Sequence, residues 1–501
     1  MDEKLTALKT RLLEVDDLKS AAALLGWDQT TYMPSGGASS RGRQLATLGR
    51  LAQEKFVDPE MGKLLQDLAK YEASLPYDSD EASLIRVTRR DYERATNVPP
   101  ALLAELTTHS SLSYQTWIKA READDFEAMI PYFEKTLELS RQMADCFPGY
   151  EHIADPLIEE TDSGMTVAQI KPLFAELRNQ LVPLVQAIQA SDPVDATCLY
   201  QNFPGQTQLD FGLAAIKAFG YDFERGRSDL THHPYMTKFG LGDVRITTRY
   251  DDNHLGDGIF ATMHESGHAM YEQGIAMAYD GMPIGNGTSS GVHESQSRLW
   301  ENIIGRSKRY WQGQYTVLQE TFPAQLKEVS LEQFYQAINK VEPTLIRVQA
   351  DEVTYNLHIM LRFDLEVALL EGSLRVQDLP DAWRERYKSD LGITPPDHKD
   401  GVLQDVHWTF GIGGMFQGYT LGNVLAAQYY EAALKAHPEI PEEIEQGQFQ
   451  TLHGWLQTNI YQHGRKYAAP ELTKRVTGMD LSLSPYIQYL NDKYGDIYGL
   501  S

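Results

Sequence analysis

The sequence predicts an all-α protein with a small β-sheet near its functional site. Apolar residues recur at three- and four-residue spacing through most of the chain, and this is the period of amphipathic helices. Proline and glycine interrupt these stretches where helices would end. Only residues 244–250 carry the run of β-branched residues that is typical of a strand.

The predicted helices form two groups, one on each side of this strand. The first group comprises residues 3–25, 39–74, 80–95, 99–120, 124–145, 166–190 and 207–218. The second comprises residues 296–322, 331–341, 344–371, 376–389, 415–436, 442–462 and 468–476. The chain has no internal repeat, low-complexity tract or obvious linker, so we expect a single helical domain over residues 1–501.

Composition narrows the class of protein. The 45 basic and 70 acidic side chains give a net charge of −25, which argues against nucleic acid or an anionic membrane as a partner. Cys146 and Cys198 are the only cysteines, too few for a disulfide framework. The first residues are charged and lack the apolar core of a signal peptide. No stretch approaches the roughly 18 apolar residues of a membrane span. We therefore expect a cytoplasmic protein.

Residues 258–274 form the predicted helix that carries the most functional information. They contain His264-Glu-Ser-Gly-His268, with Asp257 as the expected N-cap and Gly274 as the expected end. Histidines four residues apart lie on one face of a helix, about 6 Å apart along its axis, so both can bind one zinc ion. Glu265 points to the side of this pair, where it can take a proton from an activated water molecule. The string alone is only fairly specific.

Two histidines leave such a site one protein ligand short. The extended motif with a third histidine is excluded, because Tyr271 and Gly274 stand where it needs glycine and histidine. Glu272 continues the histidine row, but it lies about 12 Å from His264 along the helix axis and cannot share the ion.

Glu294 is the better candidate for the third ligand. It follows His268 by 26 residues, after a glycine-rich connection, in the first turn of a predicted helix that starts near His293. Ser289 or Ser290 can cap this helix. A carboxylate from a neighbouring helix would complete the site and leave one position for water. The alternative is an ordinary first-turn glutamate that complements the helix dipole.

Residues 244–250 come directly before the histidine helix. This position suggests an edge strand beside the site, to which an extended peptide could add its backbone. A short structural hairpin explains the same pattern equally well.

Three further residues are chemically suggestive. Arg347, expected to open the helix 344–371, could pair with a free carboxylate, although such residues more often form surface ion pairs. His407, in a probable loop with Gln404, Asp405 and Trp408, could donate to a developing oxyanion, or it could be a packed structural histidine. Tyr419, in a glycine-rich stretch, is a candidate phenol donor.

Taken together, these segments resemble the carboxypeptidase Taq family of metallocarboxypeptidases over essentially the whole chain. The motifs that carry the resemblance are His264-Glu-Ser-Gly-His268, His293-Glu-Ser-Gln296, Ile346-Arg-Val-Gln-Ala-Asp351 and Gly401-Val-Leu-Gln-Asp-Val-His-Trp408. The segment His233-Pro-Tyr235 is similar to a fifth motif, with tyrosine replacing phenylalanine, and Trp27-Asp28 followed by Pro34 is similar to the family's amino-terminal region.

The resemblance implies a helical fold related to neurolysin and angiotensin-converting enzyme, with a deep groove between two halves. It implies one zinc or cobalt ion held by His264, His268 and Glu294, with Glu265 as the general base. It also implies release of single residues from peptide carboxyl ends by a cytoplasmic homodimer. Arg347 then becomes the expected carboxylate anchor and His233 a substrate-binding residue, while His407 and Tyr419 are expected to stabilise the transition state.

Two other functions remain open from the sequence. The same metal ligands would serve an endopeptidase or an aminopeptidase, and blocking either end of a peptide would discriminate between these enzymes. A helical peptide-binding protein without catalysis is less favoured, because His264, Glu265, His268 and Glu294 are all present.

Overall fold

The computed structural model describes residues 2–500 and confirms the all-α prediction, with 68% of the chain in helices. The helices before the sheet are α1 Asp2–Thr31, α2 Ala38–Phe56, α3 Pro59–Glu72, α4 Asp80–Asn97, α5 Pro100–Ala123, α6 Ile130–Asp145, α7 Asp155–Thr161, α8 Val167–Ala190 and α9 Gly205–Phe219. The predicted helix 39–74 is wrong as a single helix, because Asp58 caps a new one that begins at Pro59.

A three-stranded sheet separates the two groups of helices. Its strands are β1 Ser228–Leu230, β2 Met236–Gly240 and β3 Asp243–Thr248. The order is β1-β3-β2, with β1 parallel and β2 antiparallel to β3. The strand predicted at 244–250 is therefore present, but its assignment to a sheet edge is wrong. Both sides of β3 are already paired, so a peptide cannot add to it.

The histidine helix and its neighbour follow the sheet. They are α10 Gly256–Gly274 and α11 Ser290–Arg298, and α11 continues into a π-helical segment, Leu299–Ile304. The Ser289 hydroxyl accepts from the Val292 amide and caps α11, as predicted. The N-cap expected at Asp257 is wrong, because α10 begins at Gly256, one residue before Asp257. The Asp257 carboxylate pairs instead with His254 at 2.9 Å.

The remaining helices complete the fold: α12 Lys308–Thr321, α13 Pro323–Leu326, α14 Leu331–Ile338, α15 Thr354–Glu371, α16 Leu379–Leu391, α17 Gln417–Ala436, α18 Ile440–Glu445, α19 Gln450–Asn459, α20 Ala469–Thr477 and α21 Ser484–Tyr498. Sequence periodicity missed α7, α13 and α21, joined α11 to α12 and α18 to α19, and started α15 ten residues too early. The Asp351 carboxylate explains the late start of α15, since it accepts from the amides of Val353 and Thr354.

Burial explains where the site sits. α10 is buried almost all round, and Met263, Ala269 and Tyr271 belong to a core that extends from Ala120 to Ile497. A second, smaller cluster packs α1, α3 and α4 against the chain that follows α10. The histidine helix is thus held on several sides, which is what a precisely spaced ligand set needs. Among the described residues, no helix is both long and apolar enough to cross a membrane.

Candidate metal centre and active site

The side chains of His264, His268 and Glu294 converge on one point. A ligand atom of each lies within 4.8 Å of the others. The Glu294 Oε2 atom is 3.7 Å from Nε2 of His264 and 3.4 Å from Nε2 of His268. Two imidazole nitrogens and one carboxylate oxygen are a donor set that suits zinc at a catalytic site, so these residues fit a divalent metal ion.

Glycines allow the helices that carry these ligands to approach closely. A Cβ atom on Gly267 would lie 2.5 Å from the Gln296 carbonyl oxygen of α11. A Cβ atom on Gly422 of α17 would lie 2.5 Å from Cγ of Glu294. Both distances are far below van der Waals contact, so the spacing of α10, α11 and α17 depends on the absence of side chains at these positions.

Charged neighbours orient the candidate ligands. Arg298 donates from Nε to Oε1 of Glu294 at 2.7 Å and leaves Oε2 facing the histidines. The π-helical segment places Oε2 of Glu301 2.8 Å from Nδ1 of His264. Burial alone would raise the pKa of Glu294, but the charges of Arg298 and His264 hold it well below its usual range. Glu294 is therefore an ionised carboxylate, as a metal ligand must be.

Glu265 is buried beside the ligands, at 7% exposure. Desolvation raises the pKa of its carboxyl group to about 7, against the opposing effect of His264. A cation held nearby would favour the ionised form. The position and the environment suit a group that accepts and returns a proton near neutral pH.

A second charged cluster contains Arg347. Its Nε and Nη2 atoms donate to Asp405, the latter at 2.8 Å, and the same carboxylate accepts from Nε of Arg362 at 2.5 Å. Gln404 accepts from the Arg347 amide and from Arg362. Two guanidinium groups thus share one carboxylate, and the cluster keeps one net positive charge. Arg347 lies in a short turn, Arg347–Gln349, and the expectation that it opens a long helix is wrong.

Tyr355 connects this cluster to the ligand set. Its hydroxyl accepts from Nη1 of Arg347 at 3.1 Å, and its ring lies 4.6 Å from the guanidinium carbon of Arg298. Arg298 in turn holds Glu294. Two side chains, Tyr355 and Arg298, therefore lie between Arg347, the expected carboxylate anchor, and Glu294, the third candidate ligand.

The structure is similar to known enzymes over its whole length. The model of the carboxypeptidase Taq (M32) metallopeptidase family matches residues 7–494. The chain belongs to this family. It is 42% identical over 495 residues to thermostable carboxypeptidase 1 of Thermus thermophilus, with 96% of each chain covered. It is 36% identical over 491 residues to carboxypeptidase 1 of Bacillus subtilis, with 97% of each covered.

Solved structures agree with this assignment. The M32 carboxypeptidase from Deinococcus radiodurans R1 superposes with a TM-score of 0.97 at 47% identity, covering 99% of this chain and 100% of that one. The apo-Mg structure of Pyrococcus furiosus carboxypeptidase gives 0.94 at 32% identity, covering 99% of both chains. The metallocarboxypeptidase family, its fold and its class of activity are confirmed.

The other sequence-predicted residues of this metallocarboxypeptidase lie around Arg347. Tyr419 is on α17, with its ring 5.5 Å from the Arg347 guanidinium carbon, and burial raises its pKa to about 12. Its phenol is thus a proton donor at neutral pH. His233 is exposed on the loop between β1 and β2, where partial desolvation and the charges of Arg249 and Arg347 lower its pKa.

His407 differs from the expectation in one respect. Its Nδ1 atom is buried without a hydrogen-bond partner among the described residues and lies 3.8 Å from Asp405, while its ring packs 4.5 Å from Phe416. Its neighbours Gln404 and Trp408, which we expected to fix the orientation of the ring, bond elsewhere: Gln404 accepts from Arg362, and Trp408 donates to Glu366. Burial lowers the pKa of His407 to about 4, so the ring is neutral at neutral pH.

Sequence reasoning missed the residues that support the candidate ligands. Arg298 and Tyr355 carry no motif of their own, and Glu301, which contacts His264, lies in the π-helical segment that no sequence pattern predicted. The one available signal was the charge spacing of Glu294 and Arg298, which are one helical turn apart.

Proposed function

We propose that the enzyme releases single amino acids from the carboxyl ends of peptides, using one divalent metal ion held by His264, His268 and Glu294. Zinc is the expected ion and cobalt is a possible substitute, because both suit nitrogen and oxygen donors in this number. When bound, the ion supplies Lewis acidity: it polarises the scissile carbonyl and lowers the pKa of water.

Residues of the chain transfer the proton, stabilise the oxyanion and bind the carboxyl end of the peptide. Glu265 takes the proton of the attacking water and returns it to the leaving amine. Tyr419 and His407 donate hydrogen bonds to the oxyanion that develops, each contributing roughly 2.7–4 kcal/mol if well placed. Arg347 binds the terminal carboxylate of the peptide, and His233, exposed on the loop between β1 and β2, is a further substrate-binding residue.

The observation that carries this proposal is the link through Tyr355. Tyr355 contacts both Arg347 and Arg298, and Arg298 holds Glu294, so a terminal carboxylate bound at Arg347 would place the end of the peptide beside the candidate metal ligands. The shared Asp405 leaves the Arg347–Arg362 pair with a net positive charge, and a free carboxylate would neutralise it. An endopeptidase or aminopeptidase would gain nothing from such a pair.

Three further proposals concern the domain organisation, the location and the oligomeric state of the protein. We propose a single domain over residues 1–501: the largest core extends from Ala120 to Ile497, and the second cluster packs Leu8 and other residues of the first helices against the chain that follows α10. A cytoplasmic location agrees with the free thiols of Cys146 and Cys198. A homodimer is proposed from the family resemblance, and sedimentation equilibrium would give the molecular mass in solution.

Two variants test the assignment of the ligands and the base. Glu294→Ala removes one of three ligands, so the purified protein should contain much less metal. Glu265→Gln keeps all three ligands, so it should retain metal and lose turnover. Elemental analysis and a peptide assay on both proteins distinguish these roles. Full metal content in Glu294→Ala would remove Glu294 from the ligand set, and normal turnover by Glu265→Gln would remove Glu265 as the base.

A further inference from the structure

A chain of hydrogen bonds leads from His268 away from the candidate metal centre. The Nδ1 atom of His268 lies 2.6 Å from Nδ1 of His293, at the start of α11. The Nε2 atom of His293 lies 3.0 Å from Oε1 of Glu272, one turn after His268 on α10. The Nζ atom of Lys238, on β2, lies 2.6 Å from Oε2 of Glu272. Three elements of the fold therefore meet in one row of polar groups.

Each bond in this row has only one possible direction. Nε2 of His268 faces the metal ligands, so its lone pair is needed there and Nδ1 must carry the hydrogen. Nδ1 of His293 then accepts, which leaves Nε2 of His293 as the donor. The Glu272 carboxylate only accepts, and the Lys238 ammonium only donates. The row is consistent from end to end with a single tautomer of each imidazole.

The far end of the row is fixed. Lys238 also donates to the Gly285 carbonyl at 2.6 Å and to the side-chain oxygen of Asn286 at 2.9 Å, so its three donors are all used. Glu272 is 4% exposed, and its Oε1 accepts a further bond from the Gly287 amide. A buried carboxylate held by three donors, Lys238, His293 and the Gly287 amide, cannot easily turn away from His293.

The two histidine ligands are therefore supported differently. His264 contacts a carboxylate directly, at Glu301. His268 contacts the imidazole of His293, whose ring centroid lies 4.7 Å from that of His268. The Glu272 carboxylate therefore acts on His268 through His293. The helical spacing that excluded Glu272 from the ligand set places it one turn after His268, where it contacts His293 instead.

We propose that His293, Glu272 and Lys238 are positioning residues that fix the ring orientation and tautomer of His268, and that they thereby set the affinity of the enzyme for its metal ion. This inference rests on the proposed ligand set. It assigns a purpose to the histidine that precedes Glu294 and to the glutamate that continues the histidine row.

The test measures the dissociation constant for Zn²⁺ by competition with a chelator, on metal-free protein at constant pH. Loss of the hydrogen-bond acceptor in His293→Leu should weaken binding about 10- to 100-fold, and Glu272→Gln about 10-fold, as is usual for groups behind a metal ligand. His293→Gln offers an amide oxygen to His268 and an amide hydrogen to Glu272, so it should bind Zn²⁺ within a few-fold of the wild type. Glu366→Gln is the control, since it removes a buried carboxylate bonded to Trp408.

A purely structural role would lower the melting temperature of the metal-free protein in all His293 variants, with no rescue of affinity by glutamine. Equal affinities for His293→Leu and the wild type would overturn the inference, as would a His293→Gln protein as weak as His293→Leu. If His293→Leu fails to fold, Glu272→Gln decides the question. Should Glu294→Ala lose metal while these variants keep it, the ligand set stands and the positioning role falls. Should all of them keep metal, the ligand set itself is wrong.

Discussion

Glu294 presents a single oxygen to the histidines because Arg298 occupies the other. The two residues are one turn apart on α11, and their bond is 2.7 Å long in a site from which solvent is largely excluded. Such a charge-assisted bond is short and directional. At the scale of single residues, the ligand set is thus arranged by its neighbours, and the same holds for Arg347 beside Asp405.

Arg347 should determine whether the enzyme recognises a free carboxyl end. Arg347→Ala removes a charge-assisted pair with the substrate, which is worth on the order of 1.5–3 kcal/mol, so kcat/KM on unblocked peptides should fall roughly 10- to 100-fold. Residual cleavage of carboxyl-amidated peptides should change much less. Asp405 keeps Arg362 as a partner, so the fold should persist.

Arg375→Ala is the matched control, because the Arg375 side chain is 74% exposed and pairs with Asp378 on the surface. Equal losses on free and amidated peptides would mean that Arg347 is structural. The anchor would then have to be sought elsewhere, with Arg245 and Arg249 as the next candidates. Arg245 is already paired with Asp243 in two bonds, which makes it the weaker of the two.

His407 should act as a neutral group, and its effect on stability should depend on pH. Burial first, and then the charges of Arg347 and Arg362, lower its pKa to about 4, while Asp405 raises it. An unfolded histidine titrates near pH 6.5. Between pH 6.5 and 4 the unfolded chain therefore binds the extra proton, and stability is lost as the pH falls through this range.

Because glutamine cannot titrate, the free energy of unfolding of His407→Gln should fall by about 2–3 kcal/mol less than that of the wild type as the pH is lowered from 7 to 4. Denaturant unfolding of both proteins at several pH values from 7 to 4 measures how steeply the free energy of unfolding depends on pH.

The variant should also lower kcat and kcat/KM together with little change in KM, if the ring donates only in the transition state. An unchanged kcat would leave Tyr419 as the principal donor.

At the scale of elements, the spacing between α10 and α11 is the critical dimension. Gly267→Ala places a methyl group 2.5 Å from the Gln296 carbonyl and 2.7 Å from Cα of Ser297, so the helices must separate. Overpacking of this kind costs about 1–3 kcal/mol. It should also move Glu294 away from the histidines and weaken metal binding. Thermal unfolding and metal analysis measure both effects.

Gly49→Ala is the control for this change. Gly49 lies within α2, and a Cβ atom there meets nothing within 4 Å. Alanine is the better helix former, so this variant should be as stable as the wild type or slightly more stable. A Gly267→Ala protein with normal stability and full metal content would contradict the account of close helix packing.

The elements that sequence reasoning predicted correctly are those fixed by local signals. The histidine helix was expected over 258–274 and spans Gly256–Gly274, because its periodicity and glycines are local. Some errors concern contacts that are distant in sequence, since no local signal shows that β3 pairs on both sides or that Glu301 contacts His264. Other errors overlooked a local signal: Asp58 caps the helix that follows it, and Asp351 accepts from the amides two and three residues later.

The candidate site divides in the same way. Residue spacing and the family motifs predicted the candidate ligands His264, His268 and Glu294, and the family motifs also predicted a role for Arg347. Their partners could not be predicted, because Tyr355, Arg362 and Lys238 approach from other elements of the folded chain.

At the scale of the whole molecule, charge is unevenly distributed. The chain carries −25 overall, yet Arg347 and Arg362 share the single carboxylate of Asp405. A cavity of about 800 Å³ extends beside α1 and reaches Lys238, which ends the row of groups behind His268. The net negative charge would repel polyanions, while the net positive charge of the Arg347–Arg362 pair would attract the free carboxylate of a peptide.

The most direct test of this account follows one peptide by time-resolved mass spectrometry. The peptide is supplied unblocked, amino-acetylated and carboxyl-amidated, each with and without a chelator. The account predicts a ladder of products shortened one residue at a time from the carboxyl end of the first two peptides, little cleavage of the amidated one, and none with chelator present. Internal cleavage, shortening from the amino end, or equal turnover of the amidated peptide would contradict the account.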